Sequence, residues 1–65
     1  MNVTLNGDAC TIEQETTIER LISNLAVEGK FAIEINQQII PRSKYAETVI
    51  HLGDNIEIVQ AIGGG

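Results

Sequence analysis

Apolar and polar residues alternate at the start of the chain. Met1, Val3 and Leu5 are apolar, and Asn2 and Thr4 between them are polar. A period of two predicts a half-buried strand. Asn6-Gly7 follows, and both residue types tolerate the positive φ that a two-residue hairpin turn requires. Cys10 and Ile12 then fall on one face of a return strand, so a β-hairpin opens the chain.

The period then changes. Ile18, Leu21, Ile22 and Leu25 recur at i, i+3, i+4 and i+7, the stripe of an amphipathic helix. Thr16-Thr17-Ile18-Glu19 reads as its capping box: Thr16 accepts from the Glu19 amide, and Glu19 reaches back to the Thr16 amide. Gly29 is the expected stop, so the helix runs from about Thr17 to Val27. Alternation returns at Phe31, Ile33 and Ile35, a third strand, and Asn36-Gln37 suits a turn. Gln38 to Ile40 is a short apolar segment ended by Pro41, which cannot donate to a ladder. Arg42 to Thr48 reads as a loop with one helical turn anchored by Tyr45, and Val49, Ile50 and Leu52 as core contacts from an irregular segment. Gly53-Asp54 is a turn, and Asn55 to Ala61 the last strand, with Ile56 and Ile58 inward. The order β-β-α-β-(β)-β predicts an α+β domain, one helix packed across one face of a mixed sheet. For the helix to cover both, the first and last strands must pair in parallel at the sheet centre.

Composition sharpens the picture. Sixty-five residues make one small domain, and a chain of this size buries only about 60% of the surface its unfolded form exposes. Phe31 and Tyr45 are the only aromatic residues, too few for a single-strand stacking platform. A formal net charge of −5 repels phosphate backbones, which sets aside nucleic acid as a partner. That charge fits either a partner with a basic docking surface or ordinary solubility. Asp54, Glu57, Glu47 and Glu34 are candidates for steering such a partner, and each alone also reads as solvated surface.

Catalytic and metal chemistry find no foothold. Cys10 is the only cysteine, so no internal disulfide forms and no oxidising compartment is implied. His51 has no carboxylate or second histidine at catalytic or metal spacing. There is no phosphate-binding loop, zinc spacing or Ser/His/Asp set. The N-terminus lacks the pattern of a signal peptide, and no apolar run is long enough to span a bilayer. The expectation is a soluble cytoplasmic protein that is not an enzyme, has no membrane contact and binds no metal or cofactor of its own.

The candidate chemistry lies at the other end. Gly63, Gly64 and Gly65 follow the last strand. Glycines add nothing to a core and cost more backbone entropy to order than any other residue. The organisation expected is therefore a domain over 1–62 and a flexible glycine tail over 63–65. Extended at roughly 3.3 Å per residue, three glycines reach on the order of 10 Å, and without a Cβ they can thread a narrow channel. Either the tail is an idle end or it delivers the Gly65 carboxylate into a partner's active site. A carboxylate is a poor electrophile, so reaction there requires activation, typically as an acyl-adenylate. Beside the tail, Val59 and Ala61 point away from the Ile56/Ile58 face, and Ile62 is also apolar. This cluster is either a docking patch or simply high strand propensity.

With these residues in view, the chain resembles the prokaryotic sulfur carrier proteins of ubiquitin-like β-grasp fold, and among them the ThiS family of thiamin biosynthesis. The resemblance is carried by the Asn6-Gly7 hairpin, Ile33-Glu34-Ile35-Asn36, Ile40-Pro41-Arg42, Gly53-Asp54-Asn55-Ile56-Glu57-Ile58-Val59 and the Gly63-Gly64-Gly65 ending. Tyr45 stands where the family often has tryptophan, and Ile40 where it often has valine. The resemblance implies that an E1-like (ThiF-like) enzyme, using ATP and Mg, adenylates the Gly65 carboxylate. Sulfur from a donor such as a cysteine desulfurase then converts it to a thiocarboxylate, which serves a ThiG-like thiazole synthase. It also implies docking through Val59, six residues before the end, with Ala61 and Ile62 beside it. Alternatives of the same chemistry are delivery to molybdopterin synthase or to a tRNA-thiolating enzyme. Conjugation to a lysine, as in ubiquitin-like modifiers, and a plain interaction module with an idle tail belong to other classes.

Overall fold

The computed structural model describes residues 1–60. Strand β1 (Asn2–Leu5) turns through Asn6-Gly7 into β2 (Asp8–Thr11). Both turn residues take positive φ, 50° and 86°, as a type I′ turn demands, and Leu5 pairs with Asp8 across it. The hairpin extends one step further, because the Ile12 amide donates to the Met1 carbonyl at 2.9 Å. Helix α1 (Ile18–Leu25) comes next, then β3 (Phe31–Ile35), β4 (Gln38–Ile40), a 3-10 turn at Arg42–Lys44, and β5 (Asn55–Gln60).

The sheet order is β2-β1-β5-β3-β4. β1 and β5 pair in parallel through Thr4–Asn55 and Leu5–Ile56, while β5 runs antiparallel to β3 over the full length of β3, from Phe31–Gln60 to Ile35–Ile56. The expected parallel pair therefore lies at the centre. One face of this sheet carries the core: Val3, Ile33, Ile35 and Ile56 from the strands meet Ile18 and Leu21 of α1, with Tyr45 and Ile50 from the long connection. Ile18, Ile33 and Ile56 are fully buried, and full burial of such a side chain contributes about 1.5–3 kcal/mol. Tyr45 stacks on Phe31 with ring centroids 6.3 Å apart, so the connection is held to the start of β3.

The helix entry differs from the capping box expected at Thr16. The N-cap is Thr17, whose hydroxyl accepts from the Arg20 amide at 3.2 Å. Thr16 is buried instead. Its hydroxyl donates to the Glu13 carbonyl at 2.6 Å, and its own carbonyl accepts from the Ile50 amide at 2.9 Å. The Glu19 amide is taken by the Tyr45 carbonyl at 3.1 Å. A two-stranded bridge between Thr17 and Val49 thus competes with helix for these residues and shifts its start by one position. The helix also ends before Val27: Ala26 takes the left-handed conformation, φ 55°, that Gly29 was expected to supply. Of the three irregular core contacts expected, only Ile50 is buried. Val49 is exposed, and Leu52, 71% exposed, lies beside the Gly53-Asp54 turn rather than in the core. Leu25, in the last turn of α1, is also largely exposed. β5 is described as far as Gln60; Ala61 lies outside the described residues.

Candidate functional site

Among the described residues, nothing forms a layer over the face of the sheet opposite α1. Strand alternation aims residues i and i+2 at one face, so the burial of Ile33, Ile35 and Ile56 turns Ala32, Glu34, Glu57 and Val59 outward. The β3–β5 register sets Ala32 beside Val59 and Glu34 beside Glu57, and β4 sets Ile39 beside Glu34. Val59 is 54% exposed and Ile39 71%. Lone exposed apolar residues are ordinary; here two lie on the same face, on either side of β3. Sequence reasoning placed Val59 here. It missed Ile39, although alternation about the inward Ile40 is the signal that would have found it.

Of the other predicted site residues, Ala61, Ile62, Gly63, Gly64 and Gly65 lie outside the described residues. What the structure adds is the position of the strand that leads to them. β5 is central, with β1 on one side and β3 on the other, and Gln60 at its end anchors to the α1–β3 connection through a 3.4 Å bond from its Nε2 to the Glu28 carbonyl.

The four acidic candidates separate. Asp54 is engaged in structure: its Oδ2 accepts from the His51 amide at 2.8 Å, and its Oδ1 from Asn36 Nδ2 at 3.1 Å. Glu47 lies 3.5 Å from the Lys44 ammonium. Glu34 and Glu57 alone share the open face. His51 is exposed and serves the turn through its backbone. Cys10 is half-buried against the core. It borders a groove of about 430 Å³ between β2 and α1, lined also by Thr16, Arg20 and Leu21. Among the described residues no three His, Cys, Asp or Glu side chains gather as metal ligands, and no helix is long and apolar enough to cross a membrane.

One helix lying across a mixed five-stranded sheet with a parallel central pair defines the ubiquitin-like β-grasp class. The ThiS family model matches residues 3–65, and the chain belongs to the ThiS family. It is similar over its whole length, at 33% identity, to the sulfur carrier protein ThiS of Escherichia coli, and covers all of that protein. A crystal structure of the thiamine biosynthesis protein ThiS from Geobacter metallireducens superposes with a TM-score of 0.86 at 29% identity, each chain covered completely. The chain is also 39% identical, again over its full length, to part of a thiazole synthase of Paramagnetospirillum magneticum, of which it spans only 20%.

Proposed function

We propose that this protein is a sulfur carrier of thiamin biosynthesis, a protein co-substrate rather than an enzyme, whose working group is the Gly65 carboxylate. The observation that carries the reading is the end-to-end similarity to the Escherichia coli sulfur carrier, with neither chain left over. The organisation proposed is a β-grasp body over 1–62 and a glycine tail over 63–65.

The chemistry follows from the group. The Gly65 carboxylate attacks the α-phosphate of ATP in an E1-like enzyme, releasing pyrophosphate and leaving an acyl-adenylate. A sulfur nucleophile adds to the activated carbonyl and AMP departs, so one carboxyl oxygen leaves with AMP and sulfur takes its place. When the sulfur arrives as a persulfide, its outer sulfur attacks, and a thiol then reduces the S–S bond to free the thiocarboxylate. Gly63 and Gly64 suit this role because, lacking Cβ atoms, they fit a channel too narrow for other residues. Val59, Ala61 and Ile62 are the proposed handle by which enzymes hold the body while the tail is engaged. The proposed acceptor is thiazole synthase, supported by a relative of that name which contains a segment similar to this whole chain. Placement in the cytoplasm, with a cysteine desulfurase as sulfur source, belongs to the same reading.

The decisive experiment incubates the protein with an E1-like adenylating enzyme, ATP and a sulfur donor, and reads intact mass. The expected product has one oxygen replaced by sulfur at the C-terminus, and deletion of Gly65 abolishes it without moving the thermal midpoint. A wild-type chain that neither exchanges pyrophosphate nor gains sulfur overturns the carrier reading. Ladders of isopeptide-linked species would instead assign it to protein conjugation.

A further inference from the structure

The open face holds two carboxylates that no cation among the described residues pairs with. Glu34 and Glu57 are directly opposed on adjacent strands, and neither makes an ion pair among the described residues. Directly opposed side chains on antiparallel strands have Cβ atoms about 4.5–5.5 Å apart, and like charges there destabilise the pair. Their surroundings are apolar on one side, where Ile39 adjoins Glu34 from β4 and the Ala32–Val59 pair forms the next row, and polar on the other, where Asn55 of β5 pairs with Thr4. For the free domain, this arrangement is unfavourable twice over, through opposed like charges and through apolar surface left in water.

Resting on the carrier reading, we infer that this face docks the activating enzyme through a surface that inserts an arginine guanidinium between Glu34 and Glu57, with apolar side chains packed on Ile39, Ala32 and Val59. Charge complementarity selects the occupant. A planar guanidinium offers donors in a fork that can serve two carboxylates together, which an ammonium cannot do with the same geometry. A second copy of this chain is a poor occupant, because a two-fold contact brings the same two carboxylates against themselves and each chain carries a net charge of −5.

The test compares the wild type with the Glu34→Gln/Glu57→Gln pair and with Glu57→Lys. Pyrophosphate exchange by an E1-like adenylating enzyme is followed against carrier concentration, at low and high salt. The double variant is expected to raise the KM for the carrier on the order of tenfold with kcat unchanged, and its salt dependence is flatter. Glu57→Lys raises KM further. The thermal midpoint of the double variant equals or exceeds that of the wild type, which separates docking from folding. Exchange by the wild type together with a variant KM within twofold of it overturns this inference and leaves the carrier reading standing. No exchange by the wild type overturns both. A wild-type dimer in sedimentation that Val59→Asp abolishes assigns the face to a second copy, and overturns the inference as well.

Discussion

Asn36 joins the two halves of the sheet through one side chain. It opens the β3–β4 turn at φ 52°, a conformation that costs most L-residues roughly 1–2 kcal/mol but that asparagine tolerates. Its Oδ1 accepts from the Asn55 amide at 3.0 Å and its Nδ2 donates to Asp54 at 3.1 Å, so the turn also fixes the start of β5. The two contributions can be measured apart. Asn36→Gly keeps the backbone conformation and loses the side-chain bonds, and is expected to cost about 1 kcal/mol; Asn36→Ala loses both and costs about 2 kcal/mol in urea unfolding. Equal losses would show that the backbone conformation carries no strain. The turn itself was legible in the sequence as Asn36-Gln37, because turn chemistry is local. The clamp onto Asp54 and Asn55 was not, since it depends on a strand that arrives 19 residues later.

At the scale of the helix, the apolar stripe read correctly where it meets the sheet and less well at both ends. Ile18 and Leu21 are core residues, and Leu25 is largely exposed. The entry was misread because two threonines stand in succession, and either satisfies a capping pattern. Tertiary pairing decided between them: the Thr16 carbonyl and the Ile18 amide bond across to Ile50 and Thr48, and only Thr17 is left free to cap. Thr17→Ala is therefore expected to cost about 1 kcal/mol. Glu19→Ala, which would break the box read from sequence, is expected to change stability by no more than about 0.5 kcal/mol. Denaturant melts of the two variants check this, and a Glu19 effect as large as that of Thr17 would restore the box. Val49 and Leu52 illustrate the same limit, because an irregular segment gives no period from which an inward face can be read.

For the whole molecule, the parallel pairing of the first and last strands at the centre followed from the sequence because few arrangements let a single helix cover the sheet; the places of β3 and β4 did not. The open face was half legible. Val59 declared itself by its place opposite Ile56 and Ile58, whereas the meeting of Glu34 with Glu57 and Ile39 is a matter of register between distant segments. Val59→Asp tests the face as a unit. With Val59 54% exposed, the change is expected to lower stability by about 1 kcal/mol at most, the span of strand propensity, while weakening association with the adenylating enzyme well beyond that. Calorimetry of folding and titration of binding, run on the same preparation, distinguish the two; a binding loss no larger than the folding loss would remove Val59 from the interface.

The central place of β5 also bears on when this surface comes into being. Ile56 completes the core, and the closing pairs run from Thr4 to Asn55, so the domain is assembled from contacts between its first and last strands. Such long-range closure is slow relative to local structure. The order of synthesis adds to the delay, because β5 is made after the other described strands. Val59 meets Ala32, and Glu57 meets Glu34, only after β5 has slotted between β1 and β3. A chain cut short before Gln60, or caught with its central strand unpaired, has no such face. Under the proposed docking, an enzyme that reads this face before engaging the glycines would inspect the fold of its substrate, and sulfur would be committed only to finished molecules.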